Sequence, residues 1–221
     1  MRADARDNRD RILRAAREAY CAHGIDVPLT AIARRAGVGV ATLYRRFPTR
    51  AALVSEAFAE QLTVCAAVLD DALADPDAWR GFRSMVEKVC AMQAADRGFT
   101  AAFLARFPGD PAFERARESA EARLTELVRR AKATGRLRPD FEIVDLMLLF
   151  RAIAGLVDES PALTLASSRR LVAYLLQAFE SGRHAPLPPP APLDLRRIAL
   201  PAALSEHVRE AAPVHLEPLD G

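Results

Sequence analysis

What this chain has little of narrows it before any motif is read. No run of about 18 apolar residues occurs, so no segment is built to cross a bilayer as a helix. Cysteine is scarce: Cys21, Cys65 and Cys90 are odd in number and widely spaced. They match no metal or disulfide spacing and suit a reducing compartment. Each is expected on a helix as a small buried apolar side chain. Of the four histidines, His23, His184, His207 and His215, three lie near the C-terminal end and none has metal-ligand spacing. A glycine-rich phosphate loop and a nucleophile elbow are both missing, so nothing points to an enzyme, a metal or a cofactor. Met1 to Asp10 alternates Arg with Asp and has no apolar stretch, unlike a secretory leader. The expectation is a cytoplasmic protein with no membrane partner.

Lysine is absent from the first 50 residues, and what stands there instead is arginine. That segment holds 11 Arg against 5 acidic residues, a net of +6, while the remaining 171 residues carry a net of −4. The near-neutral total of +2 therefore hides a basic head on a mildly acidic body. Such an asymmetry suits a molecule that meets a polyanion at one end.

β-Branched residues are sparse, and no stretch alternates as a strand. Ala, Leu, Arg and Glu in helical periodicity, punctuated by Gly and Pro, give an all-α chain of about nine helices. The predicted spans are Asp7–His23, Leu29–Ala36, Val40–Phe47, a long fourth helix Thr49–Ala74, Trp79–Ala95, Phe99–Phe107, Ala112–Thr134, Glu142–Asp158 and Ser167–Ser181. The organisation expected is a head over 1–50, a helical body over 51–184 and a Pro-rich tail over 185–221. Pro186, Pro188, Pro189, Pro190 and Pro192 make that tail an extended linker or a disordered segment.

The informative segment runs from Leu29 to Leu53. Two short helices joined through Gly37 are the helix-turn-helix arrangement. Ala33 allows close backbone approach, Gly37 accepts the positive φ of a sharp turn, and Val38, Leu43 and Phe47 fix the second helix to its neighbours. The opposite face is left for DNA. Val40 and Ala41 suit thymine methyls, and Thr42 and Arg45 suit base-edge hydrogen bonds. Tyr44, Arg46, Thr49 and Arg50 suit phosphates.

On these residues the chain resembles the TetR family of transcriptional regulators. The likeness runs through Ile12, Ala15-Ala16, Tyr20, Gly24, Ile32-Ala33, Ala36-Gly37-Val38, Thr42-Leu43-Tyr44, Phe47-Pro48, Arg50 and Leu53. The segment around Ala94 to Phe99 is similar to SbtR-like C-terminal domains. Pro28 departs from the pattern, standing where the family has a Ser or Thr cap. The resemblance implies a double-stranded DNA operator as partner, a small-molecule effector, a homodimer, and repression rather than activation.

In the body, aromatic and Met residues gather on the middle helices. Trp79, Met85, Met92, Phe99, Phe103, Phe107, Met147 and Phe150, with Arg151, are candidates for an effector pocket. The same stripe also suits ordinary core, and both readings stand at this level. The last two helices are apolar beyond one stripe, which requires cover on both sides. Leu149, Ile153, Leu156, Leu171, Leu175 and Phe179 are the candidate dimer contacts. The rivals are an enzyme, which no motif supports, and an architectural or adaptor protein that binds DNA without sensing a ligand.

Overall fold

The computed structural model describes residues 2–103, 111–156, 159–182 and 185–190. Among the described residues there are ten helices and no strand. In chain order they are α1 (Arg2–His23), α2 (Leu29–Arg35), α3 (Val40–Arg46), α4 (Arg50–Ala57), α5 (Ala59–Ala74), α6 (Ala78–Ala95), α7 (Arg97–Phe103), α8 (Pro111–Ala133), α9 (Ile143–Gly155) and α10 (Pro161–Phe179). The tail beyond residue 190 lies outside the described residues, as does the segment that would extend α7 to Phe107.

Side-chain caps explain where several helices begin. The Asp77 carboxylate accepts from the backbone N–H groups of Trp79 and Arg80, both at 3.1 Å, and opens α6. Glu142 and Asp145 form a capping box at the start of α9. Ser160 Oγ accepts from Leu163 N at 3.2 Å and Pro161 occupies the first turn of α10. These groups satisfy amide donors that the helix itself leaves unpaired. As a helix opener, Pro161 sets the start of α10 six residues before the predicted Ser167.

The predicted long fourth helix is two helices. α4 and α5 meet at Phe58 with an axis bend of 69°. Phe58 leaves helical geometry, with φ −116° and ψ 20°, and its ring is fully buried beside Tyr20, 6.2 Å between centroids. Neither Gly nor Pro marks the break, and an apolar Phe continues the periodic pattern. Burial of one large ring in the head therefore turns the chain where local propensity does not.

Two apolar cores result. The head's core joins Ile12, Tyr20, Ile32, Leu43, Phe47 and Leu53 to Phe58, and takes in Phe99 and Ala102 from α7. The body's core runs from Trp79 and Phe82 through Leu127, Phe141 and Phe150 to Leu176. A chain of rings ties its base: Trp79 stacks on Phe82 at 5.6 Å, and Phe141 meets Phe82 at 5.6 Å and Phe179 at 4.9 Å, both edge-on. The head's core thus extends past residue 50 and borrows a helix from the body. The two meet at Gly98, where a Cβ would stand 2.5 Å from Cys21 Sγ and 2.9 Å from Phe58 Cζ.

The start of the Pro-rich segment is held. Arg138 donates to Asp140 through Nε at 2.6 Å and Nη2 at 2.9 Å, and Nη2 also reaches the Ala185 carbonyl at 3.1 Å. Leu187 N donates to the Asp140 carboxylate at 2.9 Å. Of the cysteines, Cys90 is buried and Cys65 half-buried, but Cys21 is exposed, contrary to expectation. Burial pushes the Cys90 thiol up to about 12 and the Cys65 thiol up to about 11.

Candidate nucleic-acid interface

The reading head is set by a turn that only a glycine adopts cheaply. Gly37 has φ +65°, its N–H donates to the Arg34 carbonyl at 3.1 Å, and Val38 N donates to the Ala33 carbonyl at 3.0 Å. These bonds close α2 and start the chain towards α3. Ile32, Ala33, Leu43 and Phe47 are all buried, so α3 is pinned through Leu43 and its C-terminal Phe47. Pro28 stands at the cap of α2 without a side-chain hydrogen bond, and its carbonyl accepts from Ala31 N at 2.9 Å.

The remaining face of α3 is open. Val40, Ala41, Tyr44, Arg45 and Arg46 are exposed and Thr42 is half-buried. The predicted readers are thus brought together on one surface, with Thr49 exposed beside it. Thr49 caps α4, its Oγ1 accepting from Ala52 N at 3.0 Å. Arg50, expected among the phosphate ligands, is engaged within the head. Its Nη1 donates to the carbonyls of Ile25 and, at 2.9 Å, Val27. The guanidinium ties the loop before α2 to the start of α4, a task that a search for phosphate ligands does not suggest. Tyr20 lies behind this tie with its hydroxyl buried and unpaired, and burial pushes its pKa up to about 12.

The described members of the predicted pocket divide between the two cores. Trp79, Met85 and Phe150 are buried in the body's core, with Met147 packed partly against it. Phe99 and Met92 belong to the head's core instead. Phe107 and the side chain of Phe103 lie outside the described residues, and Arg151 is half-buried on α9. A groove of about 310 Å³ opens over Trp79, lined by Asp77, Arg80, Arg83, Ser84, Glu87 and Arg136. Its arginines are met by carboxylates: Arg80 by Asp75 at 2.7 Å, Arg83 by Glu87 at 3.7 Å and Arg136 by Asp77 at 3.9 Å.

The predicted dimer contacts divide as well. Leu149 and Ile153 are fully buried in the protomer's own core, so they face inwards rather than to a partner. Leu156, Leu171, Leu175 and Phe179 are partly buried against that core. The exposed apolar side chains of the same two helices are Leu148, 47% exposed, Leu163, 48%, and Tyr174, 56%. An apolar run marks a helix as covered on both sides without saying which residue meets which cover.

A buried-core helical body and a pinned, basic, small-residue recognition helix define a helix-turn-helix transcription regulator. Two family descriptions match the chain: bacterial regulatory proteins of the tetR family over residues 12–57, and the SbtR-like transcriptional regulator C-terminal domain over residues 76–177. A TetR transcriptional regulator from Streptomyces coelicolor is 31% identical, with 78% of this chain and 98% of that one covered and a TM-score of 0.48. A tetR family transcription regulator from a Shewanella species is 20% identical over 79% of this chain and 99% of that one, TM-score 0.55. The Bacillus subtilis regulator FadR, solved with stearoyl-CoA, is 19% identical over 80% and 100% of the two chains, TM-score 0.51. No curated protein matches. The chain belongs to the TetR family. Members are DNA-binding transcription regulators, typically dimeric and ligand-responsive, and not enzymes. No single helix among the described residues is long and apolar enough to cross a membrane.

Proposed function

We propose that this protein is a cytoplasmic repressor that binds a palindromic operator as a homodimer and is released by a small-molecule effector held in its body. The observation that carries the reading is the division of α3 into a buried anchor, Leu43, and an open face of Val40, Ala41, Tyr44, Arg45 and Arg46. Small residues at the start of a recognition helix let it enter the major groove, where Arg45 and Thr42 read base edges and Val40 and Ala41 meet thymine methyls. Tyr44, Arg46 and Thr49 hold phosphates. Arg50 does so less directly, by keeping the neighbouring loop in place. Two heads on a dimer address half-sites about 34–36 Å apart. Leu148, Leu163 and Tyr174 provide the self-complementary apolar face such a dimer needs.

A single straight rod from head to body is not available to couple effector and DNA, because α4 and α5 are bent at Phe58. The alternative route runs through α7. It packs on α1 at Gly98 and contributes Phe99 to the head's core. An effector acts along it only by binding one head spacing better than the other.

The test is a titration of the full chain onto DNA flanking its own coding region and onto a shuffled control, at two salt concentrations. Binding confined to the native fragment, at two protomers per site, is the expected result. Equal and steeply salt-dependent binding to both would mean phosphate attraction alone, and would favour an architectural protein.

A further inference from the structure

Buried polar side chains in folded proteins almost always have partners, whether protein, ordered water or ligand. Gln93, only 3% exposed on α6, has neither its amide nitrogen nor its amide oxygen paired. Ser168, 1% exposed on α10, has an unpaired hydroxyl. On α5, Gln61 Oε1 is buried and unpaired too.

Counted along the helices, these groups fall at about one height of the body. α5 and α6 are antiparallel neighbours, touching where a Cβ on Gly81 would stand 2.4 Å from the Ala72 carbonyl oxygen. Gln61 and Gln93 lie about the same distance from that contact, roughly 17 Å along each axis at about 1.5 Å per residue. α10 returns along α6 from the Arg83–Glu180 contact at 4.0 Å, which brings Ser168 within a turn of Gln93. α9 sets out near Phe82, where Phe141 packs at 5.6 Å, and the same count along the helix puts Arg151 at about that height. One turn towards Trp79, at the positions four residues away on each helix, stand Cys65, Val89, Met147 and Val172, all part of or packed on the apolar core. A polar layer thus rests on an apolar floor.

We infer that this layer receives the polar head of the effector, and that the effector is a compact apolar molecule whose head presents a donor and an acceptor side by side, as an amide does. The inference rests on the proposed reading of the body as an effector-binding domain. The pairing logic is direct: a primary amide with both groups free is completed by another amide edge, and the Ser168 hydroxyl takes either role. The layer also adjoins the route to the head, because the Thr100 hydroxyl on α7 donates to the Gln93 backbone carbonyl at 2.8 Å.

Benzamide and ethylbenzene, alike in size but different in head, are the probes, added at millimolar concentration to the full chain and to Gln93→Met. Without probe, Gln93→Met should melt about 2–4 °C higher than the native chain, because an unpaired buried amide is replaced by an apolar side chain of similar length. Benzamide should raise the melting temperature of the native chain by a similar margin, with Gln93→Met losing that rise and ethylbenzene giving less. A lower melting temperature for Gln93→Met would mean that structural water completes the layer, and overturns the inference. So would benzamide giving no rise, or one that Gln93→Met retains. Release of the flanking DNA, followed by anisotropy, separates this from the parent reading. Gln93-dependent binding without release counts against effector control and leaves the layer intact.

Discussion

Two arginines five residues apart have different work to do. Arg45 is exposed on the open face of α3, whereas Arg50 is half-buried and donates to the Ile25 and Val27 carbonyls. Arg45→Ala should cost about 1–3 kcal/mol on the preferred operator and relax the base preference at one position. Competition binding across single-base operator variants checks this; a uniform loss over all variants would make Arg45 a phosphate contact. Arg50→Ala should lower stability by about 1–2 kcal/mol, because two carbonyls lose a charged donor. A thermal melt without DNA reads that, and an unchanged melt would return Arg50 to the phosphates. The open face of α3 was legible in the sequence, because Gly37, Leu43 and Phe47 declare which side is inward. Arg50's tie was not, since its partners are backbone carbonyls more than twenty positions away and carry no residue-type signal. Asp140 hides for the same reason. The Arg138 guanidinium beside it and the Leu187 N–H hold its carboxyl well below the usual carboxylate range. A depressed carboxylate contributes stability that is complete above its unfolded value of about 3.9 and is lost as pH falls below it. The Leu187 amide signal should therefore still hold its bound position at about pH 4, where an ordinary carboxylate is half protonated, and move only well below that. Asp140→Asn should show the released position at pH 7; an unchanged signal in that variant would detach the tail segment from Asp140.

At the scale of elements, helix number and order were readable almost throughout, since 3.6-residue periodicity and caps such as Asp77 are local. The exception at Phe58 is tertiary: a buried ring in the head outweighs the continuing helical pattern, and no breaker residue announces it. The same packing draws Phe99 and Met92 into the head, so the aromatic-and-Met stripe, which suits either a pocket or ordinary core in the sequence, spans two cores. Gly98 is the point where this arrangement is least forgiving. Gly98→Ala places a Cβ 2.5 Å from Cys21 Sγ, 2.9 Å from Phe58 Cζ and 3.2 Å from the Cys21 backbone nitrogen. Overpacking of that kind typically costs about 1–3 kcal/mol. Gly155→Ala meets nothing within 4 Å and ends a helix, so it should be neutral or stabilising by up to about 1 kcal/mol. Chemical denaturation of the pair decides the matter. Equal destabilisation would remove close packing of α7 on α1 as the reason Gly98 is a glycine.

The whole molecule carries two surfaces of opposite character, a basic head and an exposed apolar strip on α9 and α10 that is proposed to meet a second copy. Charge asymmetry made the first visible from composition. On α9 the sequence does not separate inward from outward side chains, because the helix is apolar nearly all round and the buried pair, Leu149 and Ile153, looks no different from the exposed Leu148. Adjacent leucines now separate the two covers: Leu148 is 47% exposed and Leu149 is 2% exposed. Leu148→Glu combined with Tyr174→Glu should leave the protomer folded, since both side chains project from it, but put like charges on a face that meets itself across a two-fold axis. The expected species is a monomer by light scattering. Its affinity for a palindromic operator should fall by orders of magnitude, because each head then binds one half-site without the other. Leu149→Ala should do the reverse, removing about 2–5 kcal/mol of core stability while the remaining folded fraction stays dimeric. If the double glutamate variant remains a dimer at micromolar concentration, the partner surface lies elsewhere on the body, and the exposed strip of α9 and α10 is left to some other contact.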